Sequence, residues 1–456
     1  MTGPTRRAVT AAGLALPIAT AAPSLLVRAA AAPRPDDYKA IVLIFLEGGC
    51  DPYDTLIPTG RAEHREWSAS RGAMLAEYGH VKRPRPLDRL LRIAPDETGA
   101  PQALPPEMPN LAAAFASGRA LGVANVGPML GPVTPKQLSE GTAEVPSHLF
   151  SHAHQQVTWQ RLGRVSSAST GWGGRMADAA GQDGPFGAVR TGRDAGFLDG
   201  AAGPGLTVGS TRGPNTVLTH ERLWGSAELA DLIRAQASAG TTAPGVMERD
   251  VAALQRHTVE VNERLGAMLA STKDGESIAT HPRHFDQKLA VVAKMIALRG
   301  QAGARRQVFY AGLGGFDTHQ QQPQRLAALQ EQLDQALGRF TRWLSAEGLS
   351  DAVTIVIGTE FGRTLIATST GTDHGWGAHA FVVGGAVNGG RVLGEVPPAR
   401  TGHARDAGRG RLIPGLALEQ LAVPIARWFG VPEADMGAVF PYADRFDTDA
   451  LPVMRA

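Results

Sequence analysis

The stretch Val308-Phe-Tyr-Ala-Gly-Leu-Gly-Gly-Phe-Asp-Thr-His319 leaves the chain few folds to choose from. Its β-branched and aromatic opening reads as a buried strand. Gly312, Gly314 and Gly315 then let the backbone turn, and Asp317 and His319 follow two residues apart, which sends both side chains to one side of an extended segment. After them the pattern becomes helical. Pro323 suits a first turn, and Leu326, Leu329, Leu333, Leu337, Phe340 and Leu344 recur every three or four residues until Gly348. Strand, polar turn and long helix make one unit of an α/β sheet, where ligands bind beyond the carboxyl ends of the strands. Asp317 and His319 stand at that end, and a carboxylate beside an imidazole suits a metal ion.

Other runs repeat the design. Tyr38 to Leu46 is almost continuously apolar and ends in Glu47-Gly48-Gly49, as a central strand covered on both faces does, with Asp51, Asp54 and Thr55 directly after it. Ala120 to Val126 predicts a second strand, and Val353 to Ile357 another that runs into Gly358-Thr-Glu-Phe-Gly-Arg-Thr364. Asp373, His374 and His379 occupy the next loop, before a strand at Phe381 to Val387. Strand-like runs therefore end in Asp51, in Asp317 with His319, and in Glu360. These are ligand types for Zn²⁺, Mn²⁺, Mg²⁺ or Ca²⁺, although each residue alone is as well explained as a turn cap or a hydrogen-bonding surface group.

Leu149-Phe-Ser-His-Ala-His154 opens a helix that continues through Trp159 to Leu162. Ser151 stands at its N-cap, next to free backbone N–H groups and a positive dipole end, where a phosphate or sulfate would be favoured. His152 adjoins it, and Arg363 can pair bidentately with an oxyanion or with a neighbouring carboxylate. Ser151, His152 and Arg363 are the candidate catalytic residues. Residues 173 to 282 read as an inserted cap with helices at Ala227 to Gln236 and Val246 to Leu269; an amphipathic helix from His281 to Arg299 returns the chain to the sheet.

Balanced charge, 45 basic against 43 acidic residues, gives no basic stripe for a nucleic acid, and no such partner is expected. Residues 1–32 read as a twin-arginine signal peptide: Arg6-Arg7 precedes an Ala-rich run from Ala11 to Val27 and small residues before Pro33. Pro17 and Pro23 interrupt that run, which is too short and weak to span a membrane. The expectation is a chain passed folded through the twin-arginine translocase, periplasmic or secreted, and not an integral membrane protein. With Cys50 alone, no intramolecular disulfide can form.

Phe45-Leu-Glu-Gly-Gly49, Leu149-Phe-Ser-His152 with Trp159-Gln160, Gly314-Gly-Phe-Asp-Thr-His319, Glu360-Phe-Gly-Arg-Thr364, Gly371-Thr-Asp-His-Gly-Trp-Gly377 and Trp428-Phe-Gly430 occur in this order. Together they resemble the bacterial twin-arginine-exported domain-of-unknown-function family 1501 over nearly all of the mature chain. That family is related to the alkaline phosphatase and sulfatase superfamily. The resemblance implies a doubly wound, mostly parallel α/β sheet of alkaline-phosphatase-like type, here a single domain over 33–456 carrying the mainly helical cap, with a divalent metal at the strand ends. By it, Asp51 matches the first-strand metal aspartate, Asp317 and His319 the Asp/His pair before a long helix, Glu360 the acid of an Asp-His motif, and His374 the last metal histidine, with His379 the alternative and Asp373 beside them. Ser151 is the best positional nucleophile and Thr55 the next. Phe361 stands where the motif has histidine, Asp317 and His319 are closer in sequence than the superfamily pair, and Cys50-Asp-Pro-Tyr-Asp54 has Asp where the sulfatase signature needs Arg. The expected function is an exported metal-dependent hydrolase of a phosphate or sulfate ester, with a small-molecule or polysaccharide substrate. A non-catalytic exported binding or assembly protein on the same fold is the alternative.

Overall fold

Strands with apolar side chains on both faces need cover on both, and the computed structural model provides it. It describes residues 37–162, 170–182, 184–201, 203–211, 213, 225–239, 245–280, 285–368 and 370–455. The expected signal peptide, residues 1–32, lies outside the described residues, and Tyr38–Ala456 forms one compact unit. Nine strands make the main sheet: β1 Lys39–Glu47, β2 Ala120–Gly127, β3 Ala188–Arg190, β4 Leu206–Thr207, β5 Arg306–Gly314, β6 Val353–Thr359, β7 Ala378–Val383, β8 Arg391–Leu393 and β9 Leu416–Ala417. Their order is β8-β2-β7-β6-β1-β5-β3-β4, with β9 also on β2. Only β7 runs against its neighbours, so the doubly wound, mostly parallel architecture expected from the sequence is what forms.

The alternation of β1 divides the core. Ala40, Val42, Ile44 and Leu46 face helices α1 Pro109–Ala116, α3 Phe285–Ala297 and α4 Gln322–Ala346, while Ile41, Leu43 and Phe45 face α2 His152–Arg161 and α5 Leu418–Phe429. Parallel β5, β1 and β6 thus end together, and the loops after them share one edge of the sheet.

The expected cap at 173–282 is not wholly separate from the sheet. Val189 is fully buried, and β3 and β4 extend the sheet beyond β5, since a short apolar segment beside an open edge strand gains a ladder of hydrogen bonds. Helices Ala227–Ala239 and Val246–Ala270 do form a hairpin, and Leu265, Met268 and Leu269 of the second pack into the main core. The first residues of the expected 281–299 helix, 281–284, lie outside the described residues.

One buried acid lies far from that edge. Glu419, in the first turn of α5, is fully buried, and desolvation pushes its carboxyl up to about 7 from the ordinary 4.5, against weaker opposition from its own backbone N–H and Arg445. The folded state therefore holds this proton more tightly than the unfolded chain, so the contribution of Glu419 to stability is fully present below about pH 4.5, is lost as pH rises to about 7, and is then level. The loss amounts to about 3 kcal/mol. Glu419→Gln should remove that part of the slope in urea unfolding at pH 5 and pH 8; an unchanged slope would contradict this account.

Candidate metal centre

The side chains that meet at the strand ends come from four loops. Asp317 and His319 lie between β5 and α4, Glu360 follows β6, and His374 ends the strand Gly371–His374, which pairs with Arg363–Thr368. His152 is the first residue of α2. Trp159, one face of α2, is buried edge-on against Phe45 with ring centroids 4.9 Å apart, which fixes the roll of the helix and brings His152 to the cluster. Glycine at 358 makes room for it, because a Cβ there would lie 2.6 Å from the Trp159 ring. Gly48, at φ +120°, allows the turn after β1 to pass so close to Asp317 that a Cβ would lie 2.2 Å from its backbone nitrogen.

Three imidazole nitrogens and a carboxylate converge. His374 Nε2 lies 2.8 Å from His319 Nε2 and 3.1 Å from His152 Nε2. Asp317 Oδ1 is 3.0 Å from His319 Nε2 and 3.4 Å from His374 Nε2, and its Oδ2 is 3.5 Å from His152 Nε2. The opposite ring nitrogens are committed elsewhere. His374 Nδ1 donates to the Phe150 carbonyl at 2.8 Å, and His152 Nδ1 donates to Glu360 Oε1 at 2.9 Å. With Nδ1 protonated in each neutral ring, the two Nε2 lone pairs face one another, an arrangement that needs a proton or a cation between them. The Glu360 hydrogen bond holds the His152 ring above its ordinary range, outweighing burial, while burial and the charge of His152 lower His374.

An outer layer fixes the carboxylates. Glu360, fully buried, accepts from Gly48 N at 2.8 Å and Gln156 Nε2 at 3.1 Å besides His152. Burial alone would raise the Asp317 carboxyl, but Arg363, His152 and His319 together hold it below the usual range. Arg363 donates to Asp317 at 3.1 Å, to the Gly48 carbonyl at 2.9 Å and to Thr372 through both Nε and Nη2, so its fork serves the protein's own acceptors. Of the two partners weighed for it, a carboxylate is the one in contact. Phe361, itself buried, packs with its ring centroid 4.8 Å from the His152 ring and 4.9 Å from His374.

Asp51, His379, Ser151 and Thr55 lie outside this convergence, and Asp373 stands at its edge. Asp51 accepts from Tyr53 N on one oxygen and from Arg71 and Gln322, both at 2.5 Å, on the other, inside a buried network with Asp54 and Arg85. Its carboxylate is linked to the cluster by way of Gln322, which accepts from Thr372, which in turn accepts from Arg363. His379 is buried, and its Nδ1 accepts from Asn125 N at 3.0 Å. Desolvation pushes its ring down to about 3 and keeps it neutral. Asp373 caps His374 N at 2.9 Å and pairs with Arg411 at 3.0 Å, yet its carboxylate still stands within ligand reach of His319 and His374. Ser151 Oγ is bonded to His154 Nδ1 at 3.0 Å, and Thr55 Oγ1 to the Asp51 carbonyl at 2.6 Å. Gln156, Gln322 and the Phe150 carbonyl were invisible to motif reading; only the polar spacing of His152 and Gln156 on one helical face hinted at them.

The donor set fits a divalent cation. Two triads sharing His374, one with His152 and Asp317 and the other with His319 and Asp373, each bring their ligand atoms within reach of one ion, and ligands around Zn²⁺ at its usual bond lengths stand about 3.3 Å apart. Neutral imidazoles with a carboxylate suit Zn²⁺ or Mn²⁺ better than the all-oxygen preference of Ca²⁺ and Mg²⁺.

A sequence profile of the family described as "Protein of unknown function (DUF1501)" matches residues 38–409. No curated protein matches the chain. Solved structures with some similarity include Ps i-CgsB in complex with k-i-k-neocarrahexaose (TM-score 0.36, 9% identity, 90% of this chain and 77% of that one). PsFucS1 sulfatase from Pseudoalteromonas sp. gives TM-score 0.33 and 9% identity over 88% of this chain and 73% of that one. The lipoteichoic acid synthase LtaP from Listeria monocytogenes gives 0.29 and 9% over 79% and 67%.

Proposed function

The chain belongs to the DUF1501 family, and from the chemistry of its strand-end cluster we propose that it is an exported metal-dependent hydrolase of a phosphate or sulfate ester. The observation that carries this reading is the convergence of His152, His319 and His374 Nε2 on the Asp317 carboxylate, with Nδ1 of two rings tied to oxygen acceptors. A divalent cation held there would polarise the ester oxygens and favour the ionised form of the attacking group. Glu360 and the Phe150 carbonyl orient the His152 and His374 rings, and Arg363 holds Asp317 in place. Arg409 and Arg411, which share the single carboxylate of Asp373, are the cations nearest the rim that could meet an anionic substrate. Two nucleophiles are compatible with this site: a water molecule, or Ser151, whose hydroxyl has His154 Nδ1 at 3.0 Å to take its proton.

Export by the twin-arginine translocase, a mature domain beginning at residue 33 with its mainly helical insertion, and a small-molecule or polysaccharide ester as substrate are parts of the same proposal. The second reading, a binding or assembly protein on this fold, draws on Ser151 having its hydrogen bond to His154 rather than to the cluster. Metal analysis of the purified mature protein separates them, followed by turnover of aryl phosphates and sulfates before and after chelation. Stoichiometric Zn²⁺ or Mn²⁺ and chelator-sensitive turnover are expected. Protein without metal and indifferent to chelator would leave the binding reading; turnover retained in Ser151→Ala would assign the attack to water.

A further inference from the structure

Beside the cluster runs a groove of about 650 Å³ walled by Pro135, Leu138, Leu149, Phe150, Trp376 and Ala407. It adjoins the cluster through Phe150. Phe150 holds His374 through its carbonyl while its ring stays 43% exposed, and Arg411 stacks over that ring at 5.0 Å while donating to the His374 carbonyl and Asp373. Trp376 lies two residues beyond His374.

The polar groups in this wall are already satisfied. Asp406 accepts from Gly402, Gly408 and Gly410 backbone N–H groups, Ser139 Oγ donates to the Lys136 carbonyl, and Trp376 Nε1 donates to the Pro128 carbonyl. Most of what faces the groove is hydrocarbon, with Asp406 and Ser139 in the wall and the exposed Lys136 ammonium at the rim. A sugar laid there would lose water from its hydroxyls and find few partners, which costs affinity; an apolar group would lose nothing of that kind.

Building on the ester-hydrolase reading above, we propose that this groove receives the alcohol portion of the substrate, and that the substrate class is a phosphate or sulfate ester of an apolar alkyl or aryl alcohol. The anionic end then lies at the histidine cluster and the apolar end along Phe150, Leu138 and Ala407.

Calorimetric binding to the Zn²⁺-loaded mature protein tests this with methylphosphonate, hexylphosphonate, phenylphosphonate and glucose 1-phosphate. Hexyl- or phenylphosphonate should bind at least about tenfold more tightly than methylphosphonate, as a few buried methylene groups require. Leu138→Asp, which places a charge in the wall, and Ala407→Phe, which fills the groove, should each remove most of that preference and leave methylphosphonate binding as it was. Equal binding of all three phosphonates, or tighter binding of glucose 1-phosphate than of hexylphosphonate, overturns the groove assignment and leaves the hydrolase reading intact. Failure of every anion to bind the metal-loaded protein overturns both.

Discussion

His374→Ala should lower the affinity for Zn²⁺ or Mn²⁺ by about a hundredfold or more and abolish ester turnover at ordinary metal concentrations. His374 Nε2 is the common neighbour of His319, His152 and Asp317, at 2.8, 3.1 and 3.4 Å, so its removal takes one ligand and the centre of the group together. The fold should survive, because His374 ends a short two-stranded hairpin and contributes nothing to the main core. His379→Ala should do the reverse. That ring is buried, with Nδ1 bonded to Asn125 N, and its loss leaves a cavity and an orphaned donor, costing about 1–3 kcal/mol of stability with metal binding kept. Competition against a chromogenic chelator, together with thermal melting of the chelated forms, reads both effects. If His379→Ala strips the metal and His374→Ala does not, the cluster has been assigned to the wrong histidine.

The contrast between these two histidines shows what a single sequence can and cannot resolve. Apolar runs and helical spacing depend on local chain geometry, so β1, β5, β6 and α4 were legible, and so was the edge of the sheet where Asp317, His319 and Glu360 emerge. Which way a loop side chain turns is decided by partners far along the chain. Asp51 looks like a ligand after its strand, but its acceptors are taken by Arg71 and Gln322, the latter 271 residues away. Ser151 and His152 look equally placed at the start of α2 until the Trp159–Phe45 contact sets the roll of the helix. Arg363 satisfied two readings because a guanidinium pairs as well with a carboxylate as with a substrate oxyanion, and in the folded chain it donates to Asp317. The largely apolar groove is assembled from residues 135, 136, 138, 139, 149, 150, 376 and 406–408, a set with no common local pattern.

Arg71→Met should destabilise the protein by about 3–5 kcal/mol while leaving the metal in place. Arg71 is 1% exposed and donates to Asp51 Oδ2 at 2.5 Å and Asp54 Oδ2 at 2.8 Å. Methionine fills much of the volume but leaves the carboxylates without that charge. Asp54 keeps Arg85 at 3.3 Å and Tyr78 at 3.1 Å, so the deficit falls mainly on Asp51. Burial already raises the Asp51 carboxyl even with Arg71 beside it, and without Arg71 the acid would be driven further toward its neutral form. The penalty should therefore shrink as pH falls and Asp51 takes up a proton, and Asp51→Asn in the same chain should recover part of it, since a neutral amide leaves no buried charge unpaired and its oxygen can keep the bond from Tyr53 N. Metal affinity provides the independent reading. Asp51 is three hydrogen-bonded residues removed from Asp317, through Gln322, Thr372 and Arg363, so Asp51→Asn should shift Zn²⁺ binding only a few-fold. A loss as deep as that in His374→Ala would instead make Asp51 a direct ligand, as the end of a first strand suggests, and the buried ion network would then be an arrangement of the metal-free protein alone.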